Sequence, residues 1–316
     1  MLIEQKQKIL NLHYSGIPIE IIANETDLDI AEIKKIIDIE EEKKKKRQDL
    51  LHNDSIADFY LDAIVNIDEI IKNAQSRIWK ALQVNFEFDV STDESKKFLE
   101  KFIGTKINLV MIHVDLVGST KLCMTLPVNR LADILRAYAQ EMSKLIIAYG
   151  GYVLKYVGDA IIGFFLVKSL DKQDLYFPCT NAVNCGMSMI KVVKQGINPI
   201  LSQYDYPEIS VRIGIDVGEN AVVQYGWENS LVEVENKSIT IKRPITDILG
   251  YTISITAKMT SMAKPDQIVI GQFVYESIEE DQKIKFNDLK IRSDIWSYIS
   301  NSTGKIYKLY GSSSNL

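Results

Sequence analysis

Residues 152–165 read YVLKYVGDAIIGFF. Two apolar runs of strand length, rich in aromatic and β-branched residues, are interrupted by Lys155, Gly158 and Asp159, which predicts a hairpin with its turn near Lys155–Gly158. A lysine and an aspartate four residues apart are out of place in a segment otherwise built for burial. An ionised carboxylate there is costly unless a cation or a donor neutralises it. Taken alone, Asp159 reads equally well as a cation-binding carboxylate and as a cap of the hairpin turn.

Outward from the hairpin, strands alternate with helices. INLVMIHVDLVG (107–118) is a β-run, RLADILRAYAQEMSKLIIAYGG (130–151) a long amphipathic helix stopped by glycines, and PCTNAVNCGMSMIKVVKQGINPIL (178–201) a second helix. SVRIGIDVGENAVVQYG (210–226) reads as a second strand pair, with short late strands at QIVIG (267–271) and GKIYKLY (304–310). The order β-α-β-β-α-β is that of an α+β, ferredoxin-like split unit with additions, over residues 106–316. That order alone allows many functions.

Ahead of it the chain is helical. Residues 1–42 predict three short helices with tight turns, similar to a helix-turn-helix, the second opened by Pro18. The third carries Glu32, Asp38, Glu40, Glu41 and Glu42 against Lys34 and Lys35, a poor face to offer phosphates, so DNA binding is the disfavoured reading and a regulatory or dimerisation module the favoured one. Residues 43–105, opening on the lysine-rich end of EEEKKKKRQD (40–49), predict a helical connector.

With 316 residues, 46% of them hydrophobic, a net charge of −5 and a pI near 5.4, the chain supplies a real core and no global basic field. Cys123, Cys179 and Cys185 form no CxxC and are expected to be core thiols in a reducing compartment. The start has no signal-peptide pattern and no apolar run approaches a membrane span. The expectation is a soluble, cytoplasmic protein with no membrane partner.

The other chemical signal is VDLVGST (114–120). Asp115 ends a strand, and Gly118, Ser119 and Thr120 precede a helix, so free backbone N–H groups and a carboxylate stand together as a candidate metal–triphosphate site. The alternative is a simple helix cap. Together, VDLVGST and KYVGDA, with the aspartates 44 positions apart, resemble the class III nucleotidyl cyclases, the family of adenylate and guanylate cyclase catalytic domains. The similarity continues through VRIGIDVGENAVVQYG and DILGYTISITAKMTSMAKPDQIVIG, about residues 106–310 in all.

The resemblance implies that Asp115 and Asp159, with the carbonyl of Leu116, hold two divalent ions (Mg²⁺ or Mn²⁺), and that the amides of Val117, Gly118, Ser119 and Thr120 cradle the β- and γ-phosphates. It implies that Lys155 and Asp247 read the base across the interface of a head-to-tail homodimer, a pairing that favours ATP. Ser254 and Lys258 stand where the family usually has Asn and Arg for the ribose and the transition state; lysine keeps the charge but loses the planar fork. Lys305 is a further candidate phosphate contact. The leading expectation is thus an adenylate cyclase making cyclic AMP and pyrophosphate, regulated through its N-terminal helices. The alternatives are a cyclase of GTP or of a pyrimidine triphosphate in antiphage signalling, and a weakly active cyclase-like nucleotide sensor. The excursion WENSLVEVENKSITIKRPIT (227–246) reads as an interface arm or a mobile lid.

Overall fold

The computed structural model describes residues 3–14, 17–26, 28–39, 56–83, 89–234, 237–292, 294–300 and 304–313. The charge run at 40–49 lies outside them. The chain divides into two compact units, Met1–Phe59 and Tyr60–Leu316. In the first, α1 (Ile3–Tyr14), α2 (Ile19–Thr26) and α3 (30–39) bury Ile9, Ile22, Ile33 and Ile37 in a small core of their own. Pro18 closes the turn before α2, its carbonyl accepting from the Ile22 amide at 3.1 Å. Glu32, Lys34, Lys35 and Asp38 all point to solvent from α3.

The second unit begins with α4 (Ile67–Gln83) and α5 (Asp93–Lys101). The main elements follow as β1 (Lys106–Val117), α6 (Ser119–Thr125), α7 (Val128–Ala148), β2 (Tyr152–Val157), β3 (Ala160–Val167), α8 (Lys172–Val192), α9 (Asn198–Gln203), β4 (Ser210–Val234), β5 (Lys237–Leu249) and α10 (Tyr251–Met262). β6 (Gln267–Gly271), α11 (Gln272–Ser277), α12 (Glu280–Lys283), β7 (Phe286–Asp288) and β8 (Leu309–Ser312) complete it. The sheet order is β2-β3-β1-β4-β6-β8-β7, with β5 paired to the far half of β4. The first four strands are antiparallel neighbours, as the β-α-β-β-α-β reading requires, and β6 joins β4 in parallel.

Alternation along the strands sorts the layers. Val110, Ile112, Val114 and Leu116 of β1 and Val211, Ile213, Ile215 and Val217 of β4 belong to the core shared with α7 and α8. The segment expected as a connector also enters it, through Ile71, Ala74, Ile78, Ala81 and Leu82 of α4. Arg77 of α4 donates to both oxygens of Glu141 on α7, at 2.5 and 2.6 Å, answering a carboxylate that has no exposure.

Three expectations need correction. SVRIGIDVGENAVVQYG is one continuous strand, not a pair. Its glycines mark a close helix contact instead of a turn: a Cβ on Gly214 would lie 2.3 Å from the Thr256 carbonyl oxygen, and one on Gly218 2.6 Å from Thr252 Oγ1, both on α10. The 152–165 hairpin turns at Gly158–Asp159, between paired Val157 and Ala160, and Lys155 sits within β2. Only Gly158, at φ 63°, needs the left-handed region, which places glycine first in the turn. Finally, Cys179 and Cys185 are buried but Cys123 is exposed, because α6 turns Leu122 inward and leaves its neighbour facing out. The 227–246 excursion is a two-stranded ribbon of β4 and β5, with Trp227 paired to Pro244, and Tyr225, Trp227 and Ile245 exposed.

Between the two close-approach glycines, Asp216 is 2% exposed, and Tyr307 donates to its Oδ1 at 2.7 Å. Burial raises this carboxyl from 3.8 to about 7, against the Tyr307 and Val217 hydrogen bonds that lower it. The folded state therefore holds the proton more tightly than the unfolded chain, and stability falls as pH rises from about 4 to about 7, with no further loss above. Asp216→Asn fixes the neutral form. Thermal melting at pH 5 and pH 8 is expected to show the stability difference moving in favour of the variant by on the order of 2 kcal/mol at the higher pH.

Candidate active site

The register brings the two candidate metal carboxylates to one end of adjacent strands. β1 pairs with β3 up to Val114–Ile161, so Asp115 follows the last paired residue of β1 and Asp159 sits in the turn that leads into β3. Asp115 is directly opposite Arg212 on β4, and the Arg212 guanidinium donates to its Oδ2. Asp159 is partly exposed and forms no ion pair among the described residues. Among those residues no group of three or more His, Cys, Asp or Glu clusters for a metal. The candidate pair offers two carboxylates, and a two-carboxylate site, where one forms, suits a hard cation with open positions for phosphate oxygens and water.

The turn after β1 is shaped for close backbone approach. Gly118 has φ 95°, and α6 starts at Ser119 with no side chain capping its first turn. The amides there are left to solvent or to an anion. Space is no constraint, since a Cβ on Gly118 would meet nothing nearer than 4.0 Å. The backbone conformation alone calls for glycine.

A second group gathers elsewhere on the same unit. A bulge between Val153 and Lys155 shifts the β2 register, and Lys155 Nζ donates to Asp247 Oδ2 at 2.5 Å. Asp247 is held from behind by the Ile248 amide, which donates to Oδ1 at 2.8 Å. Ser254 and Lys258 are exposed one turn apart on α10, with Ser254 Oγ donating to the Gly250 carbonyl at 3.1 Å and Lys258 Nζ lying 5.0 Å from the centre of the Tyr298 ring. No hydrogen bond or ion pair among the described residues joins this group to Asp115 or Asp159. Lys305 is exposed, next to the short bridge of Ile299 with Ile306, and its carbonyl accepts from the Ser300 amide at 2.8 Å.

The sequence reading missed Arg212, although a lone arginine between Val211 and Ile213 in an apolar strand is itself a signal, because a charge in that setting requires a partner. It also missed Tyr138 on α7, which is 1% exposed and whose hydroxyl has no hydrogen-bond partner among the described residues. Burial first, then the charges of Asp115 and Asp159, raise this hydroxyl well above the ordinary tyrosine value.

Residues 104–295 match the adenylate and guanylate cyclase catalytic domain family. The chain belongs to that family. Every candidate site residue except Lys305 falls inside the match. Among curated proteins the chain is 26% identical over 171 residues to a cytidylate cyclase of Escherichia coli, covering 54% of this chain and 35% of that protein. It is 24% identical over 200 residues to a uridylate cyclase of Rhodovulum sp. (strain MB263), covering 61% and 73%. The chain thus spans well under half of the cytidylate cyclases it matches. Among solved structures, the adenylyl cyclase CyaB from P. aeruginosa aligns with 67% of this chain and 96% of its own at 21% identity and a TM-score of 0.46. No described helix is long and apolar enough to cross a membrane.

Since Arg212 pairs with Asp115, a divalent ion held by that carboxylate would have to compete with it. Arg212→Met is expected to tighten Mn²⁺ binding in the absence of nucleotide by roughly three- to tenfold, the worth of a partly exposed ion pair. Isothermal titration of the two proteins checks this; unchanged or weaker binding would count against the carboxylate pair as the metal site.

Proposed function

We propose that this chain is a nucleotidyl cyclase that joins the 3′-oxygen of a nucleoside triphosphate to its own α-phosphorus and releases pyrophosphate, with CTP as substrate and a head-to-tail homodimer as the active form. Membership of the cyclase family supports the reaction class, and the cytidylate cyclases among the relatives support the base. The observation that carries the choice of an amino-bearing base is the Lys155–Asp247 contact. It offers a donor beside an acceptor. Cytosine presents the complement, a ring nitrogen that accepts and an exocyclic amino group that donates. Held in the same orientation, guanine and uracil would set a carbonyl against Asp247 and a ring N–H against Lys155, acceptor facing acceptor and donor facing donor.

Adenine shares the same pattern, so ATP, the substrate expected from the sequence, stands as the second reading. The pair distinguishes amino from carbonyl bases; it does not by itself distinguish ring size. The relatives move the first choice to cytosine.

Asp115 and Asp159, with the Leu116 carbonyl, are the residues that would hold the divalent ions. Bound there, the ions supply charge neutralisation along the triphosphate and acidify the attacking hydroxyl. The amides of Val117 to Thr120 direct their N–H groups at the β- and γ-phosphates. Arg212, once released from Asp115, adds its guanidinium to the same phosphate charge. From the second copy, Lys155 and Asp247 fix the base, Ser254 meets the ribose, and Lys258 brings positive charge to the α-phosphate as bonding changes there. The exposed Tyr225, Trp227, Ile245 and Leu249 of the β4–β5 ribbon give such a dimer apolar area to bury.

The test is incubation of the purified chain with Mn²⁺ and each of CTP, ATP, GTP and UTP, with products identified by mass spectrometry. Cyclic CMP is expected. Cyclic AMP as the main product would keep the Lys155–Asp247 reading and move the base to adenine, whereas cyclic GMP or cyclic UMP would overturn it. Asp159→Asn is expected to cut turnover by about 100-fold or more with the dimer intact by light scattering. No product from any of the four nucleotides, from a folded dimer, would sink the enzyme reading.

A further inference from the structure

The helical face of the second unit holds a cavity that the proposed reaction does not use. One stripe of α8 lines it, since Asn184, Met187, Ser188 and Lys191 fall at i, i+3, i+4 and i+7 and share a face. The other walls come from Val65 and Ile67 at the entry to α4, from Tyr149 after α7, and from Ile284 and Lys285 between α12 and β7. Its volume is about 630 Å³, inside the range of about 300–1,000 Å³ in which small organic molecules are bound. The sheet separates it from the candidate metal carboxylates. β1 sends Val114 and Leu116 into the core shared with α8, so alternation turns Asp115 to the opposite face, where α10 packs over Gly214 and Gly218.

The neutral polar groups of the cavity already have partners. Asn184 Oδ1 accepts from Gln282 Nε2 at 2.8 Å, and the Tyr149 and Ser188 hydroxyls bond each other at 2.7 Å. The two charges are treated differently. Lys285 Nζ donates to the thioether sulfur of Met187 at 3.9 Å, a weak acceptor, and neither Lys285 nor Lys191 has a carboxylate partner among the described residues. No Asp or Glu lines the cavity, in a chain that carries 42 of them and a net charge of −5. Ile284 stands at the wall 80% exposed, an apolar side chain that gains cover only when something fills the space beside it.

We propose that this cavity binds a small organic anion with an apolar body. Lys191 and Lys285 receive its head, and Val65, Ile67, Met187 and Ile284 cover its body. Lysine ammoniums are point charges on flexible stems, which suits a carboxylate or a phosphate head equally. The ligand joins the entry of α4 to α8 from the face of the sheet opposite Asp115, so it is a second ligand and not the substrate. The inference does not depend on which nucleotide is cyclised.

The experiment titrates the full chain with octanoate, octyl phosphate and octylammonium, following binding by calorimetry and by thermal melting. One octanoate or octyl phosphate per chain is expected to bind and raise the melting temperature, the tighter of the two naming the head, while octylammonium does not bind. Replacing both exposed lysines, Lys191→Gln with Lys285→Gln, is expected to weaken binding about tenfold, the worth of two partly exposed ion pairs. Met187→Trp should abolish it by filling the space; the lysine pair gives the same test without touching packing. Failure of both anions to bind would overturn the proposal, and so would octylammonium binding as tightly as octanoate. Wild-type affinity in the double-lysine variant would place the ligand elsewhere. Asp159→Asn is expected to bind both anions like wild type; if it loses octyl phosphate while the double-lysine variant keeps it, the head belongs to the nucleotide site and the proposal falls.

Discussion

A carboxylate at the end of a buried strand must be answered by positive charge, and Asp115 is answered by Arg212 from the directly opposed position on β4. That single pairing depends on the whole β1–β4 ladder being in register over Lys106–Val117, and a slip of one residue would turn both charges to the other face of the sheet. The register is secured by the alternating aliphatics that the two strands send into the shared core, and by α10, which docks on β4 over glycines that leave no room for a side chain. The same α10 carries Ser254 and Lys258 on its outer face. Core packing and site geometry are thus set by one strand pair.

Much of this was legible in the sequence because it is written in short-range patterns. The period-2 runs of β1, β2 and β3, the glycine-stopped helix α7, and the two aspartates at hairpin and helix-start turns follow from local chemistry. What was not legible depends on tertiary contact. Residues 210–226 read as a strand pair, although a lone glycine in a strand, as at Gly214 and Gly218, signals either a bend or a close neighbour, and only the position of α10 decides between them. Asp216 gave no sign of being fully buried against Tyr307, which lies 91 residues further along the chain. Cys123 was expected inside because cysteine usually is, but a seven-residue helix has one inward face and Leu122 takes it.

The proposed base-reading pair shows the same limit in chemical form. Lys155 and Asp247 could be named from sequence, but naming them as adenine readers used a pattern that cytosine shares. A donor beside an acceptor specifies an amino-bearing Watson–Crick edge, not the ring attached to it. Discrimination of ring size has to come from the depth and walls of the pocket around that edge. Those walls are not the Lys–Asp pair, so they are the place where the ATP and CTP readings differ.

The separation of the two groups within one chain is the last constraint. Lys155 is already paired with Asp247, and Asp115 with Arg212, while Asp159 forms no ion pair among the described residues. Pairing within the chain spares these four side chains the cost of unneutralised charge. On the homodimer proposal, a lone chain would hold only one end of a nucleotide. Under the proposed reading, the triphosphate end would draw Arg212 from Asp115 in one copy while the base inserted between Lys155 and Asp247 of the other. Each ion pair would open only as its members gained a stronger partner. On that view the ion pairs are placeholders, and turnover requires two copies because no single chain presents both ends of the substrate with their counterparts.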